Sequence, residues 1–201
     1  MYKKISKILG VAIILAGFAM SAFSESTISK YITATVPAES GFGVTITQVP
    51  ADDDWDNASL VTGNTMSFGT LTHNTEHNIF TASHYFAIDV TAYNTGGNFS
   101  IAHSTSTITN TTTNDGSNLD NNVNVTFVQQ LDSLTEGWKN KYSFANSGRT
   151  YTKTENLPEG WLRIYYGIAT ESDSILGTDP IGTDKAAGDY RGSIILTFTT
   201  S

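Results

Sequence analysis

Cysteine is missing altogether from this chain of 201 residues. That excludes a disulfide framework, thiolate metal sites and a cysteine nucleophile, and it leaves stability to an apolar core and a hydrogen-bonded sheet. Basic side chains are scarce too, with 11 Lys and Arg against 19 Asp and Glu. Nucleic-acid binding is driven by clustered Lys and Arg, so no nucleic acid is expected as a partner, and anionic lipid is disfavoured for the same reason. Only 4 prolines occur, none in a rich stretch, and no linker of distinct composition or internal repeat divides the chain. The longest apolar run, Ile8 to Met20, falls short of the roughly 20 residues a membrane helix needs, so no membrane span is expected. No long helical stripe of apolar residues is present either.

What the chain does have begins with a leader. Lys3, Lys4 and Lys7 precede the apolar run, and Ser21-Ala22-Phe23-Ser24 follows it with small residues, which is the layout of a signal peptide. Residues 1–24 are expected to be cleaved, leaving residues 25–201 as a single exported domain, bound for the periplasm, the cell surface or the extracellular space. Three lysines and no acidic residue leave with the leader, so the mature chain keeps 8 basic against 19 acidic side chains, a formal charge of −11.

Apolar residues then recur with a period of two. Phe86, Ile88, Val90 and Ala92 share one face of a run from His84 to Tyr93, and Val123, Val125, Phe127 and Leu131 repeat the pattern. It returns in Val44 with Ile46, Met66 with Phe68, Leu162 through Ile164 and Tyr166 to Ile168, and Ile194 through Leu196 to Phe198. These are the marks of half-buried strands. Turn formers separate them: Glu39-Ser40-Gly41, Asn94 to Gly97, Asn146-Ser147-Gly148, and Ala186 to Asp189. Many short strands in a domain of this size predict an all-β sandwich or Greek-key barrel. Ser104 to Asn122, nearly all Thr, Asn, Ser and Asp, predicts a mobile surface loop, because it has little apolar surface to offset its ordering entropy, with extension of the preceding strand by its β-branched threonines as the alternative.

No catalytic constellation assembles from these residues. His73-Asn74-Thr75-Glu76-His77 matches H-x-x-E-H, in which two histidines one helical turn apart bind zinc and the glutamate acts as base. It follows a strand-like run and sits among turn formers, so a polar loop is the expectation, with no zinc. Asp52-Asp53-Asp54-Trp55-Asp56 starts like a calcium loop, but an EF-hand needs Gly and Glu where the chain has Asn57 and Gly63. A solvated acidic loop is expected there, a non-EF calcium site being the alternative. No G-x-S-x-G elbow occurs, and Glu136 with Glu155 or Glu159 has nothing to mark it as a catalytic carboxylate pair. No enzyme activity and no cofactor are expected. The aromatics Trp138, Tyr142, Tyr151, Trp161, Tyr165 and Tyr166 divide between core packing and an exposed sugar-stacking face, which makes a glycan a candidate partner.

The chain's end carries a resemblance. Gly188-Asp189-Tyr190 leads into an alternating strand with Ile194, Leu196 and Phe198, and Phe68-Gly69-Thr70-Leu71 is followed by the strand from Phe86. These resemble the closing strand and the middle of fimbrial subunits and spore-coat-U-like secreted proteins of the chaperone-usher class. Thr200 stands where that family usually has tyrosine, and its common disulfide has no counterpart here. A Gly-x-Tyr step is also the tyrosine corner of Ig-like domains.

The resemblance implies an Ig-like antiparallel β-sandwich of Greek-key topology, serving as a structural subunit of a surface fibre, pilus or coat that self-associates by strand exchange with a periplasmic chaperone as helper. The exchangeable strand would be residues 27–36, with Ile28, Ile32, Ala34 and Val36 on one face and Lys30 interrupting it; the alternative is that this segment is simply the first strand of its own sandwich. The alternatives are a monomeric Ig-like adhesin or carbohydrate-binding module, and a small secreted hydrolase.

Overall fold

The computed structural model describes residues 28–35, 41–51, 55–92, 97–129, 141–153, 160–170 and 179–200. The leader, Thr27 and Val36, Asp52 to Asp54, Leu131, Trp138, and Glu136, Glu155 and Glu159 lie outside them, as does most of the turn at Asn94 to Gly97. The described chain is all β. In order it forms β1 (Ile28–Thr35), β2 (Phe42–Pro50), a 3-10 turn at Trp55–Asn57, β3 (Ser59–Leu60), β4 (Thr65–Thr70), β5 (Thr72–Asn74), β6 (Ile79–Thr81) and β7 (His84–Ala92). There follow β8 (Phe99–Thr105), β9 (Thr109–Asn110), β10 (Val123–Gln129), β11 (Lys141–Ser143), a second 3-10 turn at Phe144–Asn146, β12 (Arg149–Thr152), β13 (Trp161–Ile168), β14 (Ile181–Gly182) and β15 (Gly188–Thr200).

Two larger sheets carry the molecule. The first runs β12-β8-β15-β1-β4, with β9 beside the start of β15, and the second runs β11-β10-β13-β7-β2-β3. A small third sheet holds β14, β6 and β5. The side chains that alternate inward from the two large sheets meet in one core, which is the arrangement of a β-sandwich. Phe42 of the second sheet stacks on Phe198 of the first at 4.4 Å between ring centroids, and Phe68 of β4 meets Phe86 of β7 edge-on at 5.0 Å. His103 on β8 ties the sheets by hydrogen bonds: its Nδ1–H donates to the Ser147 carbonyl at 3.0 Å, and its Nε2 accepts from the Tyr166 hydroxyl of β13 at 2.9 Å.

The polar stretch from Ser104 to Asn122 departs from the expected loop. Its first residues finish β8, and after a short excursion β9 returns to the same edge of β15, pairing Asn110 with Tyr190 and Thr109 with Arg191. Ile108 and Leu119 are fully buried, and Asn110 and Asn122 nearly so. Composition pointed the other way because few apolar residues are present. Those few are placed where they plug the core, and the asparagines saturate backbone groups: Asn110 Oδ1 accepts from the amides of Thr112 and Thr113, and Asn122 Nδ2 donates to the carbonyls of Asp179 and Pro180.

Candidate assembly seam

The predicted exchange segment occupies the middle of the first sheet. Among the described ladders β1 against β15 is the one parallel pair, running from Ile28 opposite Gly188 to Thr35 opposite Ile195. On its other side β1 pairs antiparallel with β4. Ile28, Ile32 and Ala34 point into the core with no exposed surface, while Thr33 and Thr35 face solvent. The strand forms because its even positions, Lys30 apart, are apolar and its odd positions are mostly threonine and tyrosine, both suited to a pleated surface.

β15 provides the matching wall. Tyr190, Ile194, Leu196 and Phe198 are buried and alternate with exposed Arg191, Ile195, Thr197 and Thr199. The strand's entry is built around Gly188, whose φ of +144° suits glycine and where a side chain would meet the Asn110 amide oxygen at 2.6 Å. Two residues on, the buried Tyr190 hydroxyl donates to the Ala186 carbonyl at 2.8 Å. A phenol bonding back to the backbone a few residues upstream is the logic of a tyrosine corner.

Lys30 is the exception in this seam. It sits opposite Tyr190 on β15 and Gly69 on β4, with no exposed surface. The β1–β4 register breaks between Lys30 and Tyr31, because β4 carries an extra residue at Phe68-Gly69, and Gly69 adopts the left-handed φ of +65° that such a bulge requires. Lys30 Nζ lies 5.9 Å from the Phe68 ring centroid and has no hydrogen-bond partner among the described residues. Burial lowers its pKa from 10.5 to about 7, and the Asp120 carboxylate offsets only part of that.

The other candidate residues fall elsewhere. His73 lies on β5 and His77 in the turn that follows, so the helical spacing the zinc pattern needs is absent. His73 Nε2 bonds the Asn78 side chain at 3.2 Å, and Asn74 Oδ1 caps the amides of Glu76 and His77. Among the described residues no cluster of three or more His, Asp and Glu is placed to hold a metal.

Of the aromatics singled out, those described are buried or half-buried. Tyr151 and Tyr166 are buried in the core. Trp161 and Tyr165 lie with Trp55 around Arg163, whose guanidinium carbon is 4.0 Å from the Trp55 ring centroid. Asp89 on β7 accepts from Arg163 Nε at 2.5 Å and from Nη2 at 2.7 Å. Trp55 and Tyr165 stand 74° apart, so these rings wrap a cation instead of forming a flat platform. This cluster escaped the sequence reading, since Trp55, Asp89 and Arg163 are far apart in the chain. The available signal was the alternation Trp161, Arg163, Tyr165 on one face of a strand.

Among the described residues no helix is long and apolar enough to cross a membrane. Compared with known proteins, the chain matches no family model and no curated protein.

Proposed function

We propose that this chain is a non-enzymatic structural subunit of a surface fibre or coat, exported by its leader, with an Ig-like Greek-key sandwich whose copies join by exchanging β1. The observation that carries this reading is the placement of β1. It comes first in the described chain, it fills the interior of a sheet, and it lies parallel to the last strand, so an identical strand from a second copy would find the same partners and the same pockets. Its loss would expose the inner faces of β4 and β15 and leave two unpaired edges, a state that favours recapture of a strand. The resemblance of Gly188, Tyr190, Ile194, Leu196 and Phe198 to fimbrial closing strands supports the same conclusion. A helper that shields those edges before assembly follows from the same physics.

Mixing tests the proposal. A chain lacking residues 25–36 is expected to remain soluble only with a chaperone or with an added peptide of that sequence. Two isotopically distinct full-length populations should form mixed assemblies that this deletion abolishes. A mature protein that stays monomeric at high concentration and never mixes copies would sink the polymer reading.

A second reading, a monomeric adhesin or carbohydrate-binding module, draws on the half-buried rings of Trp55, Trp161 and Tyr165 around the buried Arg163, residue types that dominate binding hot spots. Binding of glycans by the monomer, lost in Trp55→Ala, would favour it.

A further inference from the structure

We infer that Lys30 is a proton-operated release for β1, the buried amine holding the strand in its own sheet when neutral and loosening it when protonated. The inference rests on the reading of β1 as an exchangeable strand, and it concerns what decides when exchange occurs. Every other inward position of the described β1 is aliphatic and seated without exposed surface. Lys30 alone places a polar head among them.

A buried polar group without a hydrogen bond is destabilising, and a buried unpaired charge is far more so. The compensation available to Lys30 is incomplete. Asp120, the acidic group that acts on it, attracts the ammonium but forms no ion pair with it, and one Asp120 carboxylate oxygen is already engaged by the Ile108 amide at 2.5 Å. Tyr190, opposite on β15, spends its hydroxyl on the Ala186 carbonyl. His84, stacked on Phe68, uses Nε2 on the Ser67 carbonyl and Nδ1 on the Ser83 hydroxyl. The Phe68 ring offers only a quadrupole at 5.9 Å. Among the described residues no titratable group facing Lys30 therefore offers the ammonium a direct bond.

Position turns this weakness into control. Lys30 sits at the bulge where β1 and β4 change register, and its other neighbour is joined by the parallel ladder, the less stable kind of pairing. When β1 leaves, its side chain regains water and its ordinary basicity. The open state then binds a proton that the seated state releases, between the seated value of about 7 and the free value of 10.5. Seating is therefore weakest below about pH 7 and strengthens as the pH rises through that window.

Hydrogen exchange on the intact mature chain reads the opening of β1 directly. Amides 28–35, corrected for the pH dependence of intrinsic exchange, should gain protection by on the order of tenfold per pH unit between pH 7 and 9. Lys30→Met, measured at the same pH values to remove intrinsic effects, should show high protection without that gradient, and Lys30→Ile serves the same purpose if the methionine variant folds poorly. In mixing experiments, copy exchange should be faster at pH 6 than at pH 9 in the natural sequence and slow at both in Lys30→Met. If β1 protection shows no such gradient, or the gradient persists in both variants, the inference is wrong while strand exchange stands. If the gradient appears but copies never mix, the proton control is upheld and the fibre reading falls.

Discussion

At the scale of single residues, two buried bases, Lys30 and His103, make the folded arrangement depend on pH in the same direction. His103 is held neutral, with both ring nitrogens committed to Ser147 and Tyr166, and burial lowers its pKa from 6.5 to about 4. The unfolded chain therefore binds a proton that the folded chain refuses between those values. Stability contributed by the neutral imidazole is complete above about pH 6.5 and is lost as the pH falls toward 4, a change of roughly 3 kcal/mol. Urea unfolding of the natural sequence should weaken over that range more steeply than that of His103→Gln, which keeps a donor and an acceptor but does not titrate. Equal slopes for the two proteins would show that His103 does not govern the transition.

At the scale of elements, the polar stretch between β8 and β10 contains both essential and dispensable parts. Ile108 and Leu119 are fully buried, and Gly192 on β15 is needed because a side chain there would meet Ile108 at 2.6 Å. Leu119→Ala should therefore lose about 2–5 kcal/mol by denaturant unfolding. Inserting two residues at the exposed Asp115-Gly116 turn should change stability by under about 1 kcal/mol. A harmless Leu119→Ala would mean that the segment is the loose loop its composition suggests.

The same stretch marks the limit of what the sequence reveals. Strands β1 and β15 were legible because one face packs and the other is largely wet, so period-two alternation survives. β13 and β10 blur it, since residues on both faces are buried. The seam was half legible. The segment around Ile28, Ile32 and Ala34 and the Gly188-to-Phe198 motif could each be named from local pattern, and even Lys30 stood out as an interruption. That β1 lies parallel to β15 could not be read, because pairing across most of the chain leaves no local trace. The Arg163 cluster stayed hidden for the same reason.

At the scale of the whole molecule, charge sets how copies meet. The full chain carries a formal charge of −8, and removal of the expected leader makes it more negative. Two such copies repel at long range, whichever surface finally joins them. The seam itself has little net charge: the inward residues of β1 and β15 are apolar apart from Lys30, and among their outward neighbours, mostly threonine and serine, the charged Asp189 and Arg191 are opposite in sign. Nothing in it supplies an attraction strong enough to steer encounter. Salt should therefore act by relieving repulsion, and the relief should be large because the Debye length shrinks from about 30 Å at 0.01 M to about 8 Å at 0.15 M. The rate of copy mixing at fixed pH is expected to rise several-fold across that range and then level off, while exchange of a short added peptide covering residues 25–36, which carries little net charge, should barely change. Association that weakens with salt would instead require complementary charged patches on the two copies, and would move the contact away from β1 and β15 to another face.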